Sequence, residues 1–268
     1  MIRGKKKIFL SLFGFLGLFF FIFLMFSRDT EQYHTIHRDA VIRGDSTRKE
    51  IALVFTGGDF SDGGWHIQRV LDQENVSAGF FFTGDFYRNE ANQQLIEQLV
   101  RDGHYLGPHS NRHLLYCSWE NRDSLLITKA EFAEDMLANY AEMERFGVTR
   151  KDALFFIPPY EWYNEAIVQW AEEMNLVLFN MTPGTLSHAD YTTPDMVNYR
   201  DSEKIYRNIL DYEKTHNTGL NGFILLVHIG SHPDRIDKFY RMLALLIGEL
   251  KTRGYQFKRI DQLIGKRK

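Results

Sequence analysis

The sequence has little cysteine and no cluster of basic residues. Cys117 is the only cysteine, so an intrachain disulfide is excluded. The formal net charge is −3, and without a basic stripe this argues against a nucleic-acid partner. The glycine-rich turn Thr56-Gly57-Gly58 lacks the lysine and the spacing of a phosphate-binding P-loop. The chain has 268 residues, of which 44% are hydrophobic, and this predicts one globular domain, alone or with an appendage.

The N-terminal region has the pattern of a membrane anchor. Arg3 and Lys5 to Lys7 are basic, and residues 8–26 form an apolar run of about 19 residues, which as a helix would be roughly 28 Å long and could cross a bilayer. The run lacks a small-x-small cleavage site at its end. We therefore predict a signal anchor over residues 1–29, with one transmembrane helix in a cell inner membrane and the rest of the chain facing the periplasm or exterior. Residues 30–49 are polar and without period, which predicts a tether.

From Glu50 onward, short apolar runs alternate with helical patterns. This alternation predicts the α/β class, with a parallel sheet covered by helices. About seven such units favour a (β/α) barrel over an open sheet, although periodicity does not separate the two. The predicted strands cover residues 51–55, 78–82, 105–106, 154–157, 176–179, 223–227 and 255–258. The predicted helices cover residues 65–73, 92–101, 165–174, 202–214 and 236–251, with one more opened by the capping box Thr128-x-x-Glu131.

Two histidines follow the third predicted strand, in the turn Gly107-Pro108-His109-Ser110-Asn111-Arg112-His113. His109 and His113 are four positions apart, a spacing that places both imidazoles on one face of a helical turn, where they can bind one metal ion. A third ligand is predicted to be Asp59 or Asp62, which follow the first strand among glycines. Two histidines and one carboxylate leave positions open for water and substrate, as in catalytic metal sites.

Together, His109-Ser110-x-x-His113, Pro158-Pro159-Tyr160 and Leu226-x-His228 resemble the metal-dependent polysaccharide deacetylases of carbohydrate esterase family 4. The resemblance covers residues 50–268, which we therefore interpret as a deacetylase-like catalytic domain. It implies a distorted (β/α) barrel of about seven strands. It also implies a metal-dependent hydrolase that removes acetyl groups from the N-acetylated sugars of a polysaccharide or cell-envelope glycan.

The first motif of that family differs in this chain. The family has threonine-phenylalanine-aspartate-aspartate-glycine where this sequence has Val54-Phe55-Thr56-Gly57-Gly58. Asp59 is our candidate for a displaced metal ligand, and Asp62 is the alternative ligand and the candidate base. The family's arginine before the paired prolines is Ile157 here, and its aspartate-tryptophan motif has no match near residues 180–185.

The resemblance implies roles for the remaining residues. Asp59, His109 and His113 would hold one divalent ion, with zinc as the first choice and nickel or cobalt as alternatives. The backbone N–H of Tyr160 would stabilise the oxyanion, and His228 would protonate the leaving amine. Apart from the resemblance, three aromatic side chains lie in predicted rim loops, where they could stack on the acetylated glycan or pack within the protein, namely Tyr116, Trp119 and Trp162.

Two other functions remain open. The missing aspartate pair suits a pseudoenzyme of the same fold that binds a glycan without turning it over. An O-acetyl esterase on this fold is the second alternative. His188 and Asp190 lie in a long polar loop and could be ligands or acid–base groups, but by default we assign both to the surface.

Overall fold

The computed structural model describes residues 34–265, which belong to one structural unit. Within that range, no helix has the length and apolar character needed to cross a membrane. The predicted signal anchor at residues 1–29 lies outside the described residues.

In the described part of the chain, seven strands run parallel to a neighbour and two form a hairpin. The central sheet has the order β5-β4-β3-β8, with β9 paired to the start of β3, and β6 pairs with β7 in a second, two-stranded sheet. The strands are β1 (Thr35–His37), β2 (Ala40–Arg43), β3 (Glu50–Gly57), β4 (Gly79–Phe82), β5 (Tyr105–Pro108), β6 (Phe155–Phe156), β7 (Val177–Leu178), β8 (Phe223–His228) and β9 (Gln256–Phe257).

The central strand β3 is buried along its whole length, because both faces of the sheet are covered. Successive side chains point to opposite faces. Leu53 and Phe55 pack in the larger core cluster, with the apolar faces of the helices. Ala52 and Val54 pack in a smaller cluster with apolar residues of the other strands. The strands therefore surround an interior core of their own, as in a barrel.

The barrel is closed by isolated hydrogen bonds on either side of the two-stranded sheet. On one side, the Phe155 N–H donates to the Tyr105 hydroxyl at 2.8 Å. On the other, the Thr182 N–H donates to the Ile224 carbonyl at 3.0 Å. The predicted α/β class with a parallel sheet is confirmed, and its barrel is distorted because no continuous ladder crosses these two seams.

The six predicted helices are all present, although one begins later than expected, and two short helices at Gly84–Arg88 and Ile260–Ile264 were not predicted. The last long helix was expected from residue 236, but a 3-10 turn covers Phe239–Met242 and the α-helix begins only at Leu243. The Lys238 ammonium donates to the Ser231 carbonyl at 2.8 Å, which holds the preceding residues in a loop. The helices are α1 (Gly64–Gln73), α2 (Gly84–Arg88), α3 (Gln93–Arg101), α4 (Lys129–Glu144), α5 (Glu165–Glu173), α6 (Ser202–Thr215), α7 (Leu243–Thr252) and α8 (Ile260–Ile264).

Residues 34–49 belong to the domain, so the predicted tether over residues 30–49 is wrong for these positions. β1 and β2 pair as an antiparallel hairpin. Val41 is fully buried, and its carbonyl accepts a hydrogen bond from the Asn180 N–H at 2.8 Å. Arg43 donates from Nε to the Asn221 carbonyl at 2.7 Å. The contacts of Val41 and Arg43 are with residues distant in sequence, and strands of three or four residues are too short to show a periodic pattern.

Candidate active site

The carboxyl ends of the parallel strands meet at one rim, as the sequence predicts. Thr56 lies near the end of β3, His109 follows β5, Tyr160 follows β6, and His228 ends β8. All four residues line one cavity of about 1230 Å³. This volume exceeds that of the usual pocket for a drug-sized molecule, so the cavity can accept a larger ligand.

His109 and His113 come together in a loop without the helical turn that their spacing suggested. Ser110 has a φ of 69° and His113 a φ of 53°, both in the left-handed region. Asp135 of α4 imposes this shape, because it accepts from the Ser110 hydroxyl at 2.6 Å and from the Asn111 N–H at 2.8 Å. Asp135 is 1% exposed, so the loop is fastened to the core. The structure brings the two histidines together, but the helical geometry predicted for them is wrong.

Both imidazoles are in the form that a metal ion requires. Their ring centroids are 5.0 Å apart. The His109 Nδ1 lies 2.9 Å from the Ile157 carbonyl, which can only accept, so Nδ1 carries the proton and Nε2 keeps its lone pair. Burial lowers the pKa of His109 well below its ordinary value and that of His113 to about 4. Both rings are therefore neutral at pH 7.

A complete three-ligand set is not formed by the side chains as they stand. Among residues 34–265, no three histidine, cysteine or acidic side chains are arranged to hold a metal ion. Asp59 is exposed, although its charge acts on His113. A side chain on Gly57 would meet Ile229 at 2.7 Å and Phe82 at 2.9 Å, so apolar packing fills that neighbouring position. The histidine pair fits a divalent ion as two of its ligands, and Asp59 is the acidic side chain whose charge reaches the pair.

The structure does not support the roles predicted for Asp62 as base or alternative metal ligand. One carboxylate oxygen accepts from the Ser231 N–H at 2.9 Å. The other accepts from the Tyr240 hydroxyl at 3.0 Å and lies 3.0 Å from the Lys238 ammonium. Asp62 also lies outside the lining of the cavity. It fastens the loop after β3 to the loop after β8.

His228 is paired with Asp190, a residue that we assigned to the surface. Asp190 is 4% exposed, and its two oxygens accept from the His228 ring Nδ1–H at 2.7 Å and from the His228 backbone N–H at 2.8 Å. Burial opposes a charge on His228, but the negative charge and hydrogen bond of Asp190, helped by the charge of Glu161, outweigh it and raise the pKa of His228. The ring is therefore suited to donate a proton from Nε2. In the sequence, 38 residues separate the two partners, and no local pattern connects them.

Glu161 lines the cavity and is, after Asp190, the second acidic residue near His228 to which the sequence analysis gave no role. Tyr160 and Glu161 have φ values of 58° and 52°, two consecutive left-handed residues after the paired prolines. The Asn180 side-chain amide donates to the Glu161 carbonyl at 2.8 Å. Burial raises the pKa of the Glu161 carboxyl to about 7, with the charge of His228 acting in the opposite direction.

An aromatic group stands at the mouth of the cavity. Trp119 is 56% exposed, and its ring centroid lies 5.1 Å from that of Trp162 and 5.8 Å from that of Tyr160. All three residues line the cavity. Tyr116 does not belong to this group, because it is fully buried and packs edge-on against Phe132 at 5.4 Å. The sugar-stacking role predicted for Tyr116 is therefore replaced by a role in the core.

A model of the polysaccharide deacetylase family matches residues 43–179, just over half of the chain. This chain belongs to the polysaccharide deacetylase family. The resemblance inferred from the motifs is thereby confirmed. The family member is 27% identical over 221 residues to the peptidoglycan-N-acetylglucosamine deacetylase of Bacillus cereus, a match that covers 82% of this chain and 90% of the relative.

Two solved structures have a fold similar to that of this family member. The crystal structure of the Bc1960 peptidoglycan N-acetylglucosamine deacetylase matches with a TM-score of 0.67 and 21% identity, over 85% of this chain and 93% of that one. BA3943, a CE4 family pseudoenzyme from Bacillus anthracis, matches with a TM-score of 0.66 and 18% identity, over 85% of this chain and 70% of that one. At these identities the likeness concerns the fold alone.

Proposed function

We propose that this family member is a metal-dependent hydrolase that removes acetyl groups from the N-acetylated sugars of a cell-envelope glycan. The observation that carries the proposal is the His228–Asp190 pair, because His228 lines the same cavity as His109 and His113 while the buried Asp190 holds its ring. Hydrolysis of an amide needs a group that polarises the carbonyl and an acid that protonates the leaving nitrogen. The name of the Bacillus cereus relative supports an N-acetylated sugar of peptidoglycan as the substrate class.

His109 and His113 would hold the divalent ion, with Asp59 as the third protein ligand. Zinc is the ion we propose, and nickel and cobalt suit the same ligands. When bound, such an ion polarises a carbonyl oxygen and lowers the pKa of a coordinated water molecule. The Ile157 carbonyl keeps the proton of His109 on Nδ1 and so reserves Nε2 for the ion.

Other groups of the chain would supply the acid, the oxyanion donor and the contacts to the sugar. Asp190 orients the His228 ring and stabilises its charged form, so that Nε2 can give its proton to the leaving amine. The backbone N–H of Tyr160 is the proposed donor to the oxyanion, a contribution of about 3–4 kcal/mol for a well-placed donor. Trp119 and Trp162 would stack on sugar rings at the mouth of the cavity.

A second function, glycan binding without turnover, is favoured by one observation. The metal ligands do not form a complete set among the described residues, and apolar side chains crowd the position of Gly57. In that case the aromatic mouth would bind acetylated sugars while no acetate is released.

We also propose that residues 1–29 anchor the chain in the inner membrane, with residues 50–268 facing the periplasm or exterior. The support is the basic segment followed by the apolar run at residues 8–26.

Metal content and acetate release decide between these functions. We would measure both on the purified full chain, on His109→Ala and on Asp59→Ala, with His232→Ala as a control because this exposed histidine lines the same cavity. The substrates are peptidoglycan, oligomers of N-acetylglucosamine and an O-acetylated glycan.

We expect about one ion per wild-type chain, its loss in the first two variants, and acetate release from the N-acetylated substrates. Bound glycan without acetate release under any divalent metal would support the binding function instead. Release from the O-acetylated glycan alone would contradict the amide substrate.

A further inference from the structure

The proposed deacetylation needs a base to remove a proton from the attacking water, and Asp62 is occupied elsewhere. Thr56 lies at the end of β3 with a hydroxyl that is buried and has no hydrogen-bond partner among the described residues. An alcohol is not a base at neutral pH, so this residue does not supply the function. Five carboxyl groups line the cavity, and four of them are exposed to solvent. The exposed four are Asp59, Asp85, Asp195 and Asp234, and the partly buried one is Glu161.

The backbone around Glu161 is strained in a way that positions its side chain. Non-glycine residues rarely adopt positive φ, and here Tyr160 and Glu161 do so in succession. The conformation is maintained from both sides, by Pro158, whose carbonyl accepts from the Glu161 N–H at 3.1 Å, and by Asn180, whose amide donates to the Glu161 carbonyl at 2.8 Å. A strained segment that the surrounding structure maintains is typical of a functional site.

The carboxylate of Glu161 is kept available for a ligand. Within residues 34–265, its side-chain oxygens accept no hydrogen bond and form no ion pair. His228 and Asp190 are the charged groups that act on it, and of these His228 favours its ionised form while Asp190 opposes it. His228 and Glu161 line the same cavity, and in the described part of the chain they form no ion pair with each other, so both are open to a ligand bound there.

We propose that Glu161 is the general base of the reaction and acts together with His228 as its acid. This role rests on the proposed deacetylase function. A Glu161 oxygen takes one proton from water as the water oxygen forms a bond to the acetamide carbonyl carbon, and the carbonyl electron pair moves to its oxygen. When that pair returns, the C–N bond breaks, and the nitrogen takes the proton of His228 Nε2. Acetic acid and the free amine leave, Glu161 gives its proton to solvent, and His228 takes one up.

Burial of Glu161 supports this role, because it raises the pKa of the carboxyl to about 7. Since a base works best when its pKa lies near the working pH, the group is matched to neutral conditions. Activity should therefore rise with pH through about 7 as Glu161 ionises, and should fall at higher pH as His228 loses its proton.

The test compares the wild type with Glu161→Gln, Glu161→Ala and the control Asp234→Asn, all as the metal-loaded full chain. The measurement is acetate release from a tetramer of N-acetylglucosamine, as kcat and KM between about pH 5 and 9. We expect Glu161→Gln to lower kcat about 10²- to 10³-fold with KM nearly unchanged, and to abolish the rise of rate with pH. Added formate, a small carboxylate, should restore part of the rate of Glu161→Ala but not of Glu161→Gln. Asp234→Asn should keep the wild-type profile.

The possible failures are distinguishable. If the wild type is active and Glu161→Gln keeps kcat within about threefold, or if formate leaves Glu161→Ala unchanged, Glu161 is not the base. If the wild type releases no acetate at all, the proposed deacetylase function is refuted, and the proposed role of Glu161 is refuted together with it. A thermal unfolding midpoint for Glu161→Gln equal to that of the wild type would establish that a loss of rate is not a loss of fold.

Discussion

Replacing Asp190 with asparagine tests whether the acid histidine depends on its buried partner. The two oxygens of Asp190 accept from two donors of His228, the ring Nδ1–H at 2.7 Å and the backbone N–H at 2.8 Å. Asparagine offers one oxygen and one NH2 group, so one of these two donors would face another donor. The substitution also removes the negative charge that, against the effect of burial, raises the pKa of His228.

The size of the effect follows from the hydrogen bond that is lost. A hydrogen bond to a charged group contributes about 1.5–3 kcal/mol, and one pH unit corresponds to about 1.36 kcal/mol. We therefore expect the pKa of His228 to fall in Asp190→Asn, because the carboxylate that raises it is removed. Because general acid catalysis contributes about 10²- to 10⁴-fold, kcat at neutral pH should fall about a hundredfold, and the alkaline limb of the pH profile should move to lower pH.

The free energy of unfolding should also be lower in Asp190→Asn than in the wild type. The pKa of His228 in the folded chain is raised above its ordinary value of 6.5, so the pair adds to the free energy of unfolding below that pH. This contribution is lost as the pH rises through the folded-state pKa. The difference in unfolding free energy between wild type and Asp190→Asn should thus be larger at about pH 5.5 than at about pH 9.

Two measurements check this prediction. Acetate release between about pH 5 and 9 gives the limbs of the profile, and NMR titration of the histidine ring gives the pKa of His228 without any need for turnover. His232→Gln is the control, since His232 is exposed and lines the same cavity. If the pKa of His228 in Asp190→Asn stays within about 0.3 of the wild-type value, the electrostatic reasoning is refuted.

Three further predictions concern groups around the site. Asp135→Ala would leave the donors of Ser110, Asn111 and Arg112 without their acceptor. The free energy of unfolding in urea should therefore fall by about 2–4 kcal/mol. Affinity for zinc should also weaken, because the loop that carries His109 and His113 is no longer held by Asp135. Asp62→Asn should lower the unfolding free energy by about 1–2 kcal/mol and leave the pH profile of kcat in place, and a displaced profile would contradict its structural role. Trp119→Ala should raise KM about fivefold with kcat unchanged, and a lower kcat would argue against simple stacking.

Short motifs predicted the positions of site residues where those positions depend only on neighbouring residues in the sequence. His109 and His113 lie four residues apart at a strand end, so any fold that puts this strand in a parallel sheet brings both to the rim. His228 is the last residue of β8, so the parallel arrangement brings it to the same rim. Their detailed geometry was not predictable, because Asp135 of a later helix imposes the left-handed turn at Ser110 and His113.

Acidic residues were predicted poorly, because a carboxylate's role depends on which donors reach it. Asp62 is close in sequence to Asp59 and was predicted to be a base. Its oxygens instead contact Ser231, Lys238 and Tyr240, which lie far along the chain. Asp190 lies in a polar loop typical of a surface, yet it is buried against His228. Glu161 directly follows two prolines and a tyrosine, and no local pattern indicated a role for it.

The sequence by itself determined the alternation of the main strands and helices from Glu50 onward, the family and the strand ends that form the rim, because these depend on periodicity and short motifs within a few residues. Only the tertiary structure decided that residues 34–49 join the domain, that Tyr116 packs in the core, and that Asp190 and Glu161 act on His228. The physical reason is that burial and ion pairing depend on contacts between residues far apart in the chain. Such contacts leave no periodic trace in a single sequence.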